Sequence, residues 1–210
     1  MQIKWFGHGS FELKIENKTI YINPYKGEPE EYKDLADIIL ISRWHFSDCS
    51  LALVKRIKQE NTAIIAEREA RTFTGGVLAE PNKTWDFGEV RITPIDSYTI
   101  NTPDPRPKGT GYGFLIETKD TSIYYADDTS FIPEMTKVKA DIVILPVGGT
   151  FVMNPKEAAK AAEVINPKLA IPSHYGSLMG SNDDAEWFKD LLEAKNIKVI
   201  ILEIGKDYEF

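Results

Sequence analysis

Ala36-Asp37-Ile38-Ile39-Leu40-Ile41 is a continuous apolar run behind one aspartate. Half a chain later, Ala140-Asp141-Ile142-Val143-Ile144-Leu145-Pro146-Val147 repeats its pattern. A short run without alternation is what a strand covered on both faces requires. Two such strands so far apart hint at a pseudo-repeat. Upstream of the first, Gln2 to Phe6, Phe11 to Ile15 and Thr19 to Ile22 are β-rich, broken by Gly7-His8-Gly9 and Glu16-Asn17-Lys18. Downstream, Leu51, Val54 and Ile57 have helical spacing, and Thr62 to Ala66 reads as a buried strand. Residues 67 to 81 read as a turn-rich crossing. Val90 to Ile95, Gly113 to Thr118 and Ser122 to Ala126 are further strands. Asn101 to Thr110 holds Pro103, Pro105 and Pro107 and is a loop. Asn154-Pro155-Lys156-Glu157 starts a helix with a capping residue, a first-turn proline and a glutamate that reaches back; Asn166-Pro167 stops it. Leu169 to Ser173 is a strand, Ser181 to Asp184 starts another helix, and Lys198 to Ile204 reads as the final strand. The expectation is one α/β domain over residues 1–210, with two mixed β-sheets between helices.

The 210 residues are 42% hydrophobic and 27% charged, as globular chains are. The net charge of −7 argues against binding nucleic acid through a basic face. A single cysteine, Cys49, excludes an internal disulfide and a cysteine-rich zinc site. The N-terminus lacks the apolar segment of a signal peptide, and no apolar run is long enough to span a membrane. The expected setting is the cytoplasm, without membrane or nucleic-acid partner and with a small molecule as the candidate ligand.

Three histidines are present, His8, His45 and His174, each in a loop or at a strand end. Asp127-Asp128 follows the strand that ends at Ala126. Ligand sites in α/β folds gather where strands end, so these loops are candidates for one rim. The alternative reading makes the histidines packing residues and Asp127-Asp128 a turn. Trp44, Phe46, Tyr112 and Tyr175 are candidates for pocket walls or for loop packing.

The chain resembles the metallo-β-lactamase superfamily, in the branch of L-ascorbate-6-phosphate lactonase-like, metal-dependent hydrolases. The anchors are Lys4-Trp5-Phe6-Gly7-His8-Gly9-Ser10-Phe11, Ile20-Tyr21-Ile22-Asn23-Pro24-Tyr25 and Ala36 to Ser42. Ile123-Tyr124-Tyr125-Ala126-Asp127-Asp128-Thr129, Leu145-Pro146-Val147-Gly148-Gly149-Thr150 and Ile171-Pro172-Ser173-His174-Tyr175-Gly176 follow in order. The resemblance implies an αβ/βα four-layer sandwich with a metal site on the sheet rim.

It also implies a metal loop, His-x-His-x-Asp-His, where this chain has Arg43-Trp44-His45-Phe46-Ser47-Asp48. Asn23 stands where an aspartate is usual, Arg106 is the nearest match to a loop histidine, and Asp127 replaces a glycine before Asp128. Three of the seven usual ligand positions keep their residue: His45, Asp128 and His174. Asp48 is a further possible ligand. Arginine stays protonated and cannot ligate zinc. The resemblance therefore implies a largely dismantled dinuclear site, with no tightly bound cofactor expected and zinc or manganese only if a mononuclear site survives.

Removing two divalent cations from a site that holds Asp48, Asp127 and Asp128 leaves repelling carboxylates. Arg43 and Arg106 can neutralise them through bidentate hydrogen bonds, or can be ordinary solvated loop residues. His8, Asn23 and Trp44 are further cleft candidates. Three functions follow: a non-catalytic binding descendant, a hydrolase with one weakly held metal and Asp128 or Asp48 as proton acceptor, or an interaction protein whose cleft has no role.

Overall fold

The computed structural model describes residues 1–210, which fall into two compact units. One comprises Met1–Glu80 with Leu202–Phe210, the other Pro81–Ile201. In the first, β1 (Gln2–Gly7), β2 (Ser10–Ile15), β3 (Lys18–Ile22), β4 (Ala36–Ile41), β5 (Lys58–Ala66), β6 (Val77–Leu78) and a late strand, Asp207–Glu209, form a seven-stranded sheet. In the second, β7 (Trp85–Asp86), β8 (Arg91–Asp96), β9 (Tyr112–Glu117), β10 (Ser122–Tyr125), β11 (Ile142–Pro146), β12 (Leu169–Ser173) and β13 (Lys198–Val199) form another. The late strand is β14.

The two sheets have one plan. From one edge to the other, the first reads β6-β5-β4-β3-β2-β1-β14 and the second β13-β12-β11-β10-β9-β8-β7. In each, the first four strands are mutually parallel and the remaining pairings antiparallel. The two repeated apolar runs are β4 and β11, third from the edge in both sheets. Asp37 and Asp141 give the repeat a physical purpose. Asp37 Oδ2 accepts from the Thr19 amide at 2.8 Å, and Asp141 Oδ2 accepts from the Ser122 amide at 3.0 Å. Each aspartate thus clamps the start of the next parallel strand in that order, β3 or β10.

Four α-helices accompany the sheets: α1 (Leu51–Ile57) and α2 (Arg68–Thr74) in the first unit, α3 (Pro155–Ile165) and α4 (Asn182–Glu193) in the second. α1 begins at Ser50, whose hydroxyl accepts from the Leu53 amide, and buries Leu53, Val54 and Ile57. Burying each such side chain contributes about 1.5–3 kcal/mol. α3 begins as its sequence expects: Asn154 and Glu157 form the reciprocal capping box, and Asn166 closes the helix in the left-handed conformation. Its buried face is built on Ala158, Ala159, Ala161 and Ala162.

Three local expectations are corrected. The segment 67 to 81 contains α2, capped by Glu67 through the Glu69 and Ala70 amides and closed at Gly75. β5 starts at Lys58 rather than Thr62, with an exposed polar first half. Lys198 to Ile204 is not one strand: only Lys198–Val199 pairs with β12, and the last strand is β14 beside β1. No helix is long and apolar enough to cross a membrane.

Candidate metal centre

Strand direction decides which loops share an edge. In the first unit β3 and β4 are parallel, and two antiparallel steps make β1 run with them. The carboxyl ends of β1, β3 and β4 therefore lie on one edge. They deliver His8, Asn23 and the segment Ser42 to Asp48. In the second unit β10, β11 and β12 are parallel, and β8 runs with them. Their carboxyl ends deliver the proline-rich loop with Arg106, then Asp127-Asp128, Gly148-Gly149 and His174. The carboxyl edge of parallel strands is the ligand-binding edge of α/β sheets.

Four of these residues, His8, Asn23, Asp127 and His174, have φ between 46° and 62°. Left-handed backbone is costly for residues other than glycine, although Asn, Asp and His tolerate it best, and it concentrates at functional sites. At Asn23 the conformation turns the chain sharply out of β3. Its side-chain oxygen accepts from the Ser42 amide at 2.9 Å, and its carbonyl accepts from the Ser10 hydroxyl at 2.6 Å. Asn23 thus ties the end of β3 to the end of β4 as a structural latch. His8 is fully buried, and its carbonyl accepts from the Trp5 indole at 2.9 Å.

The loop after β4 is organised by Arg43. Its Nε donates to Asp48 Oδ2 at 2.7 Å, and Asp48 is fully buried. A second guanidinium nitrogen lies 3.2 Å from His45 Nδ1. Arginine can only donate, so Nδ1 accepts, and the Ser47 hydroxyl at 2.7 Å approaches the same nitrogen. The ring proton of a neutral His45 then sits on Nε2. Burial, with the Asp48 carboxylate second, pushes the Cys49 thiol up to about 12, so it stays protonated at neutral pH. Trp44 stacks on Phe73 with centroids 4.3 Å apart.

In the second unit, Asp128 Oδ1 and His174 Nε2 are 3.1 Å apart, with His174 fully buried. The other ring nitrogen of His174 is 3.0 Å from the Ser173 hydroxyl. The Tyr125 hydroxyl donates to Asp127 Oδ1 at 3.0 Å. A carboxylate oxygen of Asp127 and one of Asp128 each lie within 4.8 Å of a His174 ring nitrogen. Arg106 donates to the main-chain carbonyl of Asp128, and Ser97 donates to that same carbonyl at 2.9 Å. The backbone of Arg106 is pinned at both ends to Thr99, and a Cβ at Gly111 would stand 2.8 Å from its guanidinium. Gly111 therefore leaves the space in which that guanidinium lies. Gly148 has a similar role: a Cβ there would collide with the His174 carbonyl.

These two donor sets answer differently to a divalent cation. In the second unit Asp127 and Asp128 each bring a carboxylate oxygen near His174, residue types suited to zinc or manganese. Two donors each about 2.0–2.1 Å from zinc at a tetrahedral angle stand roughly 3.3 Å apart, near the Asp128–His174 separation. Ser173 supplies the second hydrogen bond that metal-bound histidines use. The set fits. In the first unit the guanidinium takes Asp48 Oδ2 and the Nδ1 lone pair of His45 is engaged by Arg43 and Ser47, while His8 and Asp48 are buried side chains of ligand type. Sequence reasoning named Arg43, His45, Asp48, Arg106, Asp127, Asp128 and His174, but missed Ser47, Ser97, Tyr125 and Ser173 as their hydrogen-bond partners. For Ser47, Tyr125 and Ser173 a hydroxyl one or two residues from a candidate ligand was the available signal; Ser97 carried none. Tyr112 and Tyr175 are buried, whereas Phe46 is exposed.

The model of the beta-lactamase superfamily domain matches residues 2–174. A UPF0173 metal-dependent hydrolase of Caldivirga maquilingensis is 31% identical over 224 residues, covering 97% of this chain and 95% of its own. Among solved structures, a Parabacteroides distasonis protein assigned as a metal-dependent hydrolase superposes with a TM-score of 0.87 at 29% identity, covering 96% of this chain and 92% of that one. Igni18, a metallo hydrolase of Ignicoccus hospitalis, superposes with a TM-score of 0.79 at 21% identity, covering 100% and 98%, a likeness of fold. The chain belongs to the β-lactamase superfamily, within its UPF0173 metal-dependent hydrolase family.

Proposed function

We propose that this protein is a hydrolase-family descendant in which the dinuclear metal centre has been dismantled and hydrolysis is impaired or lost. The observation that carries the reading is the Arg43–Asp48 pair at 2.7 Å with Asp48 fully buried. A fixed guanidinium neutralises a carboxylate without offering a coordination position. Arg43, Ser47 and Arg106 stand where the family resemblance expects histidine, aspartate and histidine, so three ligands are missing together. The same reading makes a small molecule the ligand, puts the chain in the cytoplasm, and excludes nucleic acid on its net charge of −7. The test is elemental analysis of protein purified without chelator or added metal. Well under one zinc or manganese per chain is the expected result. Stoichiometric metal that survives dialysis overturns it.

A second reading rests on the second unit, where Asp127 and Asp128 each lie near His174. A single zinc or manganese bound there would supply a water of lowered pKa as nucleophile. Ser173 would hold the His174 tautomer, Arg106 and Ser97 would fix the Asp128 backbone, and Asp128 would accept the proton. The substrate would be a small ester, a lactone or a phosphoester. Hydrolysis of 4-nitrophenyl acetate or bis(4-nitrophenyl) phosphate that rises with added manganese and disappears in Asp128→Asn supports this reading over the first.

A further inference from the structure

The proline-rich loop connects β8 to β9 as an arm whose two limbs are held in different ways. Neutral bonds hold the first limb. The Ile100 amide donates to the Ser130 hydroxyl at 2.9 Å, that hydroxyl donates to the Ile100 carbonyl at 3.0 Å, and Ser130 is buried. Charge holds the second limb. Lys108 Nζ lies 2.5 Å from Glu134 Oε1 and 3.4 Å from Asp96 Oδ2, and the Tyr98 hydroxyl donates to the other Glu134 oxygen at 3.0 Å. Asp96 ends β8, and Glu134 belongs to a short 3-10 turn, Pro133–Lys137. Two bonds join the limbs: the Thr99 amide donates to the Arg106 carbonyl at 3.2 Å, and the Arg106 amide donates to the Thr99 hydroxyl at 2.8 Å.

Arg106 and Lys108 are stiffly joined. Pro105 and Pro107 flank Arg106; each fixes its own φ and keeps the residue before it extended. The Thr110 hydroxyl donates to the Pro107 carbonyl at 2.7 Å and closes the turn that carries Lys108. A movement of Lys108 is therefore passed to Arg106, whose guanidinium donates to the main-chain carbonyl of Asp128. We propose that Lys108, paired with Glu134 and Asp96, is the catch of an ionic strap that keeps Arg106 seated on the Asp128 carbonyl. Breaking the pair releases the second limb while Ser130 keeps the first in place. Lys108 is 56% exposed, so its pairs are open to screening by salt, whereas the Ser130 bonds are neutral and buried. The strap sets whether the Asp127-Asp128 turn, left-handed at Asp127, is braced or free. Ionic strength, or neutralisation of Lys108, thereby acts on the second unit's ligand-type edge. This goes beyond the function proposed above and stands whether or not a metal binds.

Site-resolved amide hydrogen exchange by NMR on the full chain tests the strap. The Thr99 and Arg106 amides read the second limb, the Ile100 amide reads the first, and the Ala126 amide, which donates to the Ile144 carbonyl, reads the sheet. An exposed pair shifts such an opening by at most about fivefold. Lys108→Gln and Glu134→Gln should each speed exchange at Thr99 and Arg106 by about two- to fivefold and leave Ile100 and Ala126 unchanged. Raising NaCl from about 0.05 to 1 M should do the same to the wild type. It should do little to Lys108→Gln, whose catch is already open. Lys108→Arg keeps the charge and should exchange as the wild type does. Lys108 is exposed, so its variants should keep the wild-type melting temperature. The proposal fails if Lys108→Gln leaves Thr99 and Arg106 unchanged, if Ile100 speeds up equally, or if salt acts on Lys108→Gln as strongly as on the wild type. Metal content does not enter the measurement, so this failure is distinct from failure of the dismantled-centre reading.

Discussion

The two units share a strand order, a parallel four-strand half, an Ala-Asp-initiated third strand and a ligand-type edge, yet their edges are chemically opposed. The first unit answers its buried carboxylate with a guanidinium. The second brings two carboxylates to one imidazole and spends its arginine on a main-chain carbonyl. The backbone plan is set by burial and by the aspartate clamp, both of which lie away from the edge. The edge chemistry is therefore free to diverge without disturbing the sheets. The two arginines differ in what they meet: Arg43 pairs with a buried carboxylate, whereas Arg106 donates to a main-chain carbonyl.

That contrast gives the largest expected effect. Arg43→Ala leaves Asp48 buried without its guanidinium and should cost about 3 kcal/mol, at the lower end for a broken buried pair because Arg43 keeps some solvent contact. Arg106→Ala removes a hydrogen bond to a carbonyl that Ser97 also serves and should cost about 1 kcal/mol. Urea denaturation at pH 7 measures both. Equal costs would erase the distinction between a charge replacement and a loop anchor.

The next effect sharpens the same contrast. Arg43→His with Ser47→Asp, Asp48→His and Arg106→His restores the family's ligand types. Metal at a hundredfold excess over its dissociation constant would then stabilise the fold by about 2.7 kcal/mol. The wild type should show no comparable shift in melting temperature when zinc is added and then chelated. A variant that neither binds zinc nor becomes chelator-sensitive would mean that more than ligand identity has been lost.

Much of this was legible in the chain. The two apolar runs hinted at a repeat because each is short and rich in β-branched residues, as a strand covered on both faces is. The α3 start was legible because Asn154, Pro155 and Glu157 each act locally. α2 was hidden because its cap is Glu67, an uncommon capping residue, and its end is Gly75-Gly76, which alone reads as a turn. Lys58 to Asn61 hid the start of β5 because that exposed polar stretch carries no strand pattern. At the edge, residue types were legible and their pairings were not. Nothing in sequence says that Arg106 reaches a backbone carbonyl, that Tyr125 donates to Asp127, or that four site residues are left-handed, because these depend on loops meeting across a sheet.

The clamp itself can be compared between units. Asp141→Ala removes contacts to the Ser122 amide, to the Ser122 hydroxyl at 2.9 Å and to Lys168 at 2.7 Å. It should cost about 1–2 kcal/mol at pH 7. Asp37→Ala removes the Thr19 contact and a looser one to Lys18 at 3.8 Å and should cost about 1 kcal/mol. The hydrogen bond from Lys168, with Ser122 adding to it against the opposing effect of burial, holds the Asp141 carboxyl below the usual carboxylate range. A depressed folded pKa stabilises above the unfolded value, near 3.9, and that contribution is lost as pH falls through the folded value. The gap between wild type and Asp141→Ala should therefore be complete at pH 6 and shrink below pH 4. A gap unchanged down to pH 2 would remove the ionic part of the clamp. Lys168 is largely exposed, so that part is at most about 1 kcal/mol.

The smallest effect concerns the loops that follow the two repeated strands. After β4 the chain passes from Ser42 to Ser50 without a left-handed residue, whereas after β11 both Gly149 and Thr150 have positive φ. The Phe151 amide donates to the Gly149 carbonyl at 2.7 Å, closing a γ-turn around Thr150 at φ 55°. Thr150 is β-branched and exposed, so nothing in its packing requires that conformation. The turn is instead imposed from both sides, by Gly148 against the His174 carbonyl and by the Met153 amide donating to Thr129, next to Asp128. A β-branched residue there costs about 1–2 kcal/mol. Glycine adopts the conformation freely but returns about 0.4–1 kcal/mol to the unfolded chain as entropy. Thr150→Gly should therefore raise stability by about 0.5 kcal/mol, read as a higher urea midpoint at unchanged slope. A lower midpoint would mean that the Thr150 side chain holds the turn, and that the second unit carries no strain that the first avoids.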